Sequence, residues 1–234
     1  MPGQLAQGQT SPRIRDVNAN MWWIYVGDHP FKGKWGLHSE VNARRANFGA
    51  SWQQLLLREA VTYRFSKNVQ VAAGYGSIRN ARYGDFPIAE PNFEHRVWEQ
   101  VTLKHELKRL ELEHRYRLEQ RFIQSALPGN GYFWRYQDRF RYQMRAAFPV
   151  SKNWYVLGAD ELFIHFGPNH GSSPFDQNRA IAGVGSRITP TNRLEFHYLN
   201  QFVLQRNGRI EESNHTFRVQ WSSSTPLARF FSRP

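Results

Sequence analysis

Between Trp134 and Phe148 the chain alternates with a period of two, and this constrains its fold more than any other feature. The even positions are Trp134, Tyr136, Asp138, Phe140, Tyr142, Met144, Ala146 and Phe148, and the odd ones from Arg135 are Arg135, Gln137, Arg139, Arg141, Gln143 and Arg145. On a strand, such a pattern puts one set on each face. On a helix the polar groups would be scattered around the circumference. The segment before it obeys the same rule. Leu110, Leu112, Tyr116, Leu118 and Phe122 share one face, interrupted by His114 and Gln120, while Glu111, Glu113, Arg115, Arg117, Glu119 and Arg121 share the other. Leu, Glu and Arg are good helix formers, but no 3.6-residue stripe runs through them, so strand is the better reading.

Looser alternation marks further strands at residues 18–26, 35–44, 52–65, 69–76, 96–107, 154–166, 176–188, 194–204 and 212–221. That makes eleven candidates, many of them longer than the usual five or six residues of a soluble strand. Their connections alternate in length. Short turns sit at 66–68, 108–109, 151–153 and 189–192. Long loops rich in Gly, Pro and Asn fill roughly 80–95, 124–131, 167–175 and 205–213. Short turns at one end and long loops at the other are the habit of a transmembrane β-barrel, and strands of about ten residues suffice to cross a bilayer at a tilt.

Net charge is +12, which at first suggests a nucleic-acid partner. The distribution argues otherwise. Arg outnumbers Lys by 25 to 6, and the arginines alternate with apolar residues along the strands instead of forming a patch. No apolar run approaches the roughly 18 residues of a spanning helix, and 15% aromatic content is far from a disordered composition. Zero Cys removes disulfides, zinc–thiolate sites, iron–sulfur clusters and thiol catalysis together.

Two arrangements share this pattern. In a soluble barrel or sandwich the apolar face points inward; in a membrane barrel the aromatics meet lipid and the Arg/Glu face lines the interior. Aromatic clusters at Trp22–Trp23, Trp52, Trp98, Phe133–Trp134, Trp154–Tyr155 and Trp221 read as interfacial girdles and favour the membrane form. On this reading Phe140, Tyr142 and Met144 face lipid. The lumen network is Glu111, Glu113, Arg115, Arg117, Glu119, Arg121, Arg135, Arg139, Arg141 and Arg145. Seven positive groups against three negative ones must draw on acids from other strands, such as Glu40, Glu161 or Glu195.

The stretch WYVLGADELFIHFG and, after a loop, FDQNRAIAGVGSRITPTNRLEFHYLNQF resembles the bacterial family catalogued as domain of unknown function 2490, whose members look like outer-membrane β-barrels. The matching positions are Asp160, Glu161, Phe175, Asp176, Gln177, Asn178, Arg179, Tyr198 and Gln201. The resemblance covers most of residues 18–221 and implies a barrel, but no catalytic role.

No nucleotide-binding glycine motif, HExxH or GxSxG is present. Gly183-Val184-Gly185 reads as a strand segment where bulky inward groups do not fit. His38 and Ser39 point to opposite faces and make a poor dyad. Asp160, Glu161, His165, His170, Asp176 and Asn178 gather around the 167–175 loop and have the chemistry of a divalent-cation site. Hydrogen bonds and ion pairs that tie the loop ends together are the better reading.

The sequence therefore implies an all-β protein, a single antiparallel up-and-down transmembrane β-barrel of about 10–12 strands. Residues 1–17 form an N-terminal segment resembling the end of a signal peptide, 18–221 the barrel and 222–234 a tail. An even strand number is usual, which makes 1–16 and 222–234 the places to seek a twelfth strand. The expected function is a non-enzymatic outer-membrane barrel, either structural or a narrow anion-preferring channel, without metal or cofactor. Its expected partners are membrane lipid and small anions, not nucleic acid. The alternatives are a soluble β protein binding anionic polymers and an outer-membrane hydrolase.

Overall fold

The computed structural model describes residues 12–127 and 131–231. Eleven strands close into one barrel: β1 (Ile14–Lys32), β2 (Trp35–Ala46), β3 (Ser51–Arg64), β4 (Val69–Asn80), β5 (Asn92–Leu107), β6 (Leu110–Ala126), β7 (Tyr132–Pro149), β8 (Trp154–Phe166), β9 (Phe175–Thr189), β10 (Asn192–Leu204) and β11 (Ile210–Ser223). Every strand expected from alternation is present, including β6, where a helix was the rival. Consecutive strands pair antiparallel. The closing pair does not. β1 and β11 run parallel, Ile14 beside Ile210 and Trp22 beside Arg218. An odd number of up-and-down strands brings the first and last strands together in the same direction, so the wholly antiparallel, even-numbered barrel is corrected at this seam. Residues 14–16 belong to β1, and the tail after β11 carries only a short helix, α1 (Ala228–Phe231). The expected signal-peptide remnant falls largely on residues 1–11, outside the described residues.

Turns of two to four residues join the strands at one end. The other end carries the 81–91, 127–131, 167–174 and 205–209 loops and the tight 47–50 turn. The faces divide as the alternation implies. Among the described residues thirty buried side chains are polar or charged against sixteen apolar ones, while 37 large hydrophobic residues are exposed. That ratio is inverted from a soluble core. Phe140 and Met144 lie outside, while Arg139 and Arg141 are 4% and 5% exposed inside.

Two bulges break the alternation to useful effect. Arg44 faces Gln54 and Arg45 faces Trp52, which leaves Gln53 as the extra residue on β3. Phe163 faces Gln177 and Ile164 faces Phe175, which leaves Asp176 extra on β9. A bulge re-aims a side chain, and Gln53 and Asp176 both end up buried.

The inward glycines accommodate aromatic bulk. A Cβ on Gly185 would lie 2.3 Å from the Tyr155 ring, and one on Gly183 would lie 2.7 Å from the His197 ring as well as 2.4 Å from the Phe196 carbonyl oxygen. Gly185→Val is therefore expected to destabilise the barrel by about 1–3 kcal/mol through overpacking, with Tyr155→Ala relieving part of that loss in the double variant. Urea titrations followed by tryptophan fluorescence measure the coupling. Additive losses would show that the ring is not what the glycine accommodates.

Candidate functional site: an arginine-walled cup over an ionic layer

Mid-height in the barrel, inward side chains meet from opposite walls. Glu119 on β6, with no exposed surface, lies 2.5 Å from Arg139 and 2.7 Å from Arg141 on β7, and 3.4 Å from Arg58 on β3. Each arginine then reaches a second acid. Arg58 bonds Glu40 at 2.9 Å, Arg139 bonds Asp176 at 2.9 Å, and Arg141 bonds Glu161 at 2.6 Å. Arg115 joins Glu161 at 2.7 Å, Arg121 joins Glu94 at 2.6 Å, and Arg145 joins Glu195 at 2.7 Å. The acids from other strands that serve the β6–β7 arginines are thus Glu94, Glu161, Asp176 and Glu195; of those expected, Glu161 and Glu195 do so, while Glu40 serves Arg58. Towards the short turns Glu111 pairs with Arg187 and Glu113 with Lys104.

Aromatic rings fill the spaces between these ions. Arg117 lies 4.4 Å above Trp98, Arg44 lies 4.0 Å above Trp22, and Arg141 and Arg179 lie 4.5 and 4.6 Å above Phe163. Trp22 and Trp98 are 1% and 0% exposed. Their expected place in an interfacial girdle is corrected: they pack inside, where a flat face can both fill volume and attract guanidinium. Tyr155 is also inward, its hydroxyl donating to Glu195 at 2.7 Å. Trp23, Trp52, Trp134, Trp154 and Trp221 do lie outside.

The candidate cation set does not converge. Asp160 lies on the outer surface, where Asn178 Nδ2 donates to it at 2.9 and 3.1 Å. Glu161, His165 and Asp176 point inward to arginines and to one another, with His165 Nε2 3.2 Å from Asp176. His38 and Ser39 separate as expected, His38 to Asp28 and Ser39 to Glu59. Of the family block, Asp176, Gln177 and Arg179 join the interior, and Gln201 Nε2 donates to Gln177.

Above the ionic layer, toward the long loops, lies a cup of about 410 Å³. Nine arginines and three carboxylates line it; Arg58, Arg139, Arg141 and Arg179 come from the layer below. The 81–91 loop folds over its mouth. Tyr83 Oη donates to Glu212 at 2.7 Å, and Gln205 Nε2 donates to the Phe86 carbonyl at 3.1 Å and to Glu212 at 2.9 Å. Burial, with Glu212 alongside, pushes the Tyr83 phenol above its ordinary range. Arg44, Arg58, Arg96, Glu94, Tyr83 and Arg206 were not singled out from the sequence. Arg58 sits in an evident strand, but the outward Glu59 beside it blurs the alternation.

No curated protein matches the chain. A solved structure titled as the NanC porin has a similar fold at 10% sequence identity. The match has a TM-score of 0.52 and covers 82% of this chain and 87% of that one. The family model described as Protein of unknown function (DUF2490) matches residues 19–212. With that match spanning most of the barrel, the chain belongs to this family of unknown function, on a closed, porin-like β-barrel.

Proposed function

We propose that the protein is a non-enzymatic barrel of the bacterial outer membrane whose interior attracts anions but is closed at mid-height. The outward aromatic and aliphatic surface supports burial in lipid, because such a face in water would be an unusually large apolar exposure. The observation that carries the closure is Glu119, fully buried and bonded from β3 and β7 at once. Ion pairs packed against Trp22, Trp98 and Phe163 leave a structural partition rather than an open pore. The long-loop end then presents a positively charged cup to one side of the membrane, and small anions and lipid are the expected partners.

Planar-bilayer recording of the purified chain tests this reading. We expect no steady conductance. A sustained current preferring chloride to potassium would replace the closed partition with an anion channel, and a cation-preferring current would overturn both versions.

A further inference from the structure

We propose that the cup is a binding site for a compact polyanion of phosphate type, held by Arg44, Arg135 and Arg206 above Arg58 and Arg179. The inference deepens the reading of an anion-attracting, closed barrel and rests on it.

The charges in the cup are not balanced within it. Among the described residues Arg44, Arg135 and Arg206 make no ion pair, although all three line the cup. Arg44 makes one hydrogen bond, to Asn42 at 3.3 Å, and stacks on Trp22. It lies within electrostatic reach of three like charges, Arg179, Arg58 and Arg96, against one acid, Glu40. Arg135 similarly feels Arg206 and Arg121 against one acid, Glu94. One carboxylate of the cup, Glu212, is meanwhile occupied by neutral donors, Tyr83, Gln205 and Asn214. Like charges kept together with fewer acids than cations in reach, and with no direct ion pair, raise the free energy of the empty site, and a polyanion relieves it.

A second observation points the same way. Arg58 and Arg179, 4% and 8% exposed, each carry an Nε–H with no hydrogen-bond partner, and so does Arg135. Buried donors are rarely left unmade. Guanidinium groups meet oxyanions through paired N–H donors, and each phosphate brings about 1.5–2 negative charges. Six of the nine lining arginines already pair with acids, and the three that do not, Arg44, Arg135 and Arg206, favour several such groups on one solute. A volume of about 410 Å³ is within the range of small-molecule sites. The neutral amides of Gln53, Gln137 and Gln201 complete the polar wall.

Calorimetric titration of the detergent-folded full chain with tripolyphosphate, at fixed ionic strength, tests the site. We expect saturable one-to-one binding. Arg44→Gln and Arg135→Gln should each weaken it by roughly tenfold or more, as loss of a charge-assisted hydrogen bond implies. Lys152→Gln in the turn at the opposite end removes the same charge and should leave it unchanged. Heat-modifiable gel mobility reports whether each variant is a folded barrel, independently of binding. A folded barrel without saturable binding would overturn the site alone, as would full affinity in both arginine variants. Citrate binding as tightly as tripolyphosphate would overturn the phosphate assignment. A steady current in bilayers would strike instead at the closed barrel on which the site rests.

Discussion

Glu119→Ala is expected to destabilise the barrel by about 3–5 kcal/mol, the loss typical when one partner of a buried ion pair is removed. Five arginines reach this carboxylate within 4.0 Å: Arg58, Arg96, Arg117, Arg139 and Arg141, at 3.4, 3.8, 4.0, 2.5 and 2.7 Å. Arg58, Arg96, Arg139 and Arg141 each keep another acid, respectively Glu40, Glu94, Asp176 and Glu161, whereas Arg117 among the described residues keeps only its hydrogen bond to Gln100 and its stack on Trp98. The balance of the layer changes as well, since five guanidinium groups then crowd a void that had held the shared counter-ion. Glu119→Gln fills that void and restores one acceptor oxygen, yet sets an amide N–H against guanidinium donors and leaves the charge uncompensated, so its loss should fall between that of alanine and wild type. Glu111→Ala provides the contrast. Its carboxylate also pairs with an arginine, but its side chain is 39% exposed near the short turns, and pairs of that kind contribute about 1 kcal/mol or less. Urea titrations of the folded barrel measure all three. Equal, small losses for Glu119→Ala and Glu111→Ala would mean that water screens the layer, and the lumen would then be hydrated rather than closed.

The difference between what could and could not be read in advance follows from period. β6 and β7 were plain because a strict two-residue repeat carried opposite chemistry on its two faces over more than ten residues. The same repeat placed the Arg/Glu rows on one face, and charge counting called for acids from other strands; of the examples Glu40, Glu161 and Glu195 the last two pair with the rows, while Glu94 and Asp176 were not foreseen in that role. Bulges defeat that logic. Asp176 is turned inward beside Gln177 only because one residue is inserted opposite Phe163 and Ile164, and nothing in FDQNR announces the insertion. Gln53 enters the lumen to accept from Trp22 Nε1 at 2.8 Å for the same reason. Trp22 and Trp98 were misplaced because an aromatic near a strand end suits a girdle and a cation–π stack equally well, and only the strand's phase separates the two. The cup itself was invisible for a different reason. It joins Arg44 on β2 to Arg135 on β7 and to Arg206 in a loop, through closure of a barrel whose register no local pattern fixes.

Phe140→Arg is expected to destabilise the protein by about 2–4 kcal/mol, the range for a cation at the bilayer midplane on the lipid face of a barrel. Phe140 lies near the middle of β7, between the outward Trp134 at the long-loop end and Phe148 at the short-turn end. It faces Leu118 on β6 and Ile164 on β8, so its surroundings are apolar. Trp154→Arg, at the first position of β8, should cost about 0–1 kcal/mol, because lysine and arginine are tolerated near the interface. The outer face already holds some polar groups at depth, but they come with partners. Ser39 donates to Glu59 at 2.7 Å, Gln120 to Glu99 at 3.2 Å, and Tyr136 to Asp138 at 2.5 Å. An arginine at position 140 has no such acceptor opposite it and must distort the bilayer or reach for its edge. Urea titration in lipid vesicles gives the two losses, and single cysteines placed in the naturally Cys-free chain give the orientation. Phe140→Cys should react with a lipid-soluble reagent and Gln143→Cys, on the inward face, should not. Labelling at 143 with protection at 140 would turn the barrel inside out, leaving its apolar face as the core of a soluble protein.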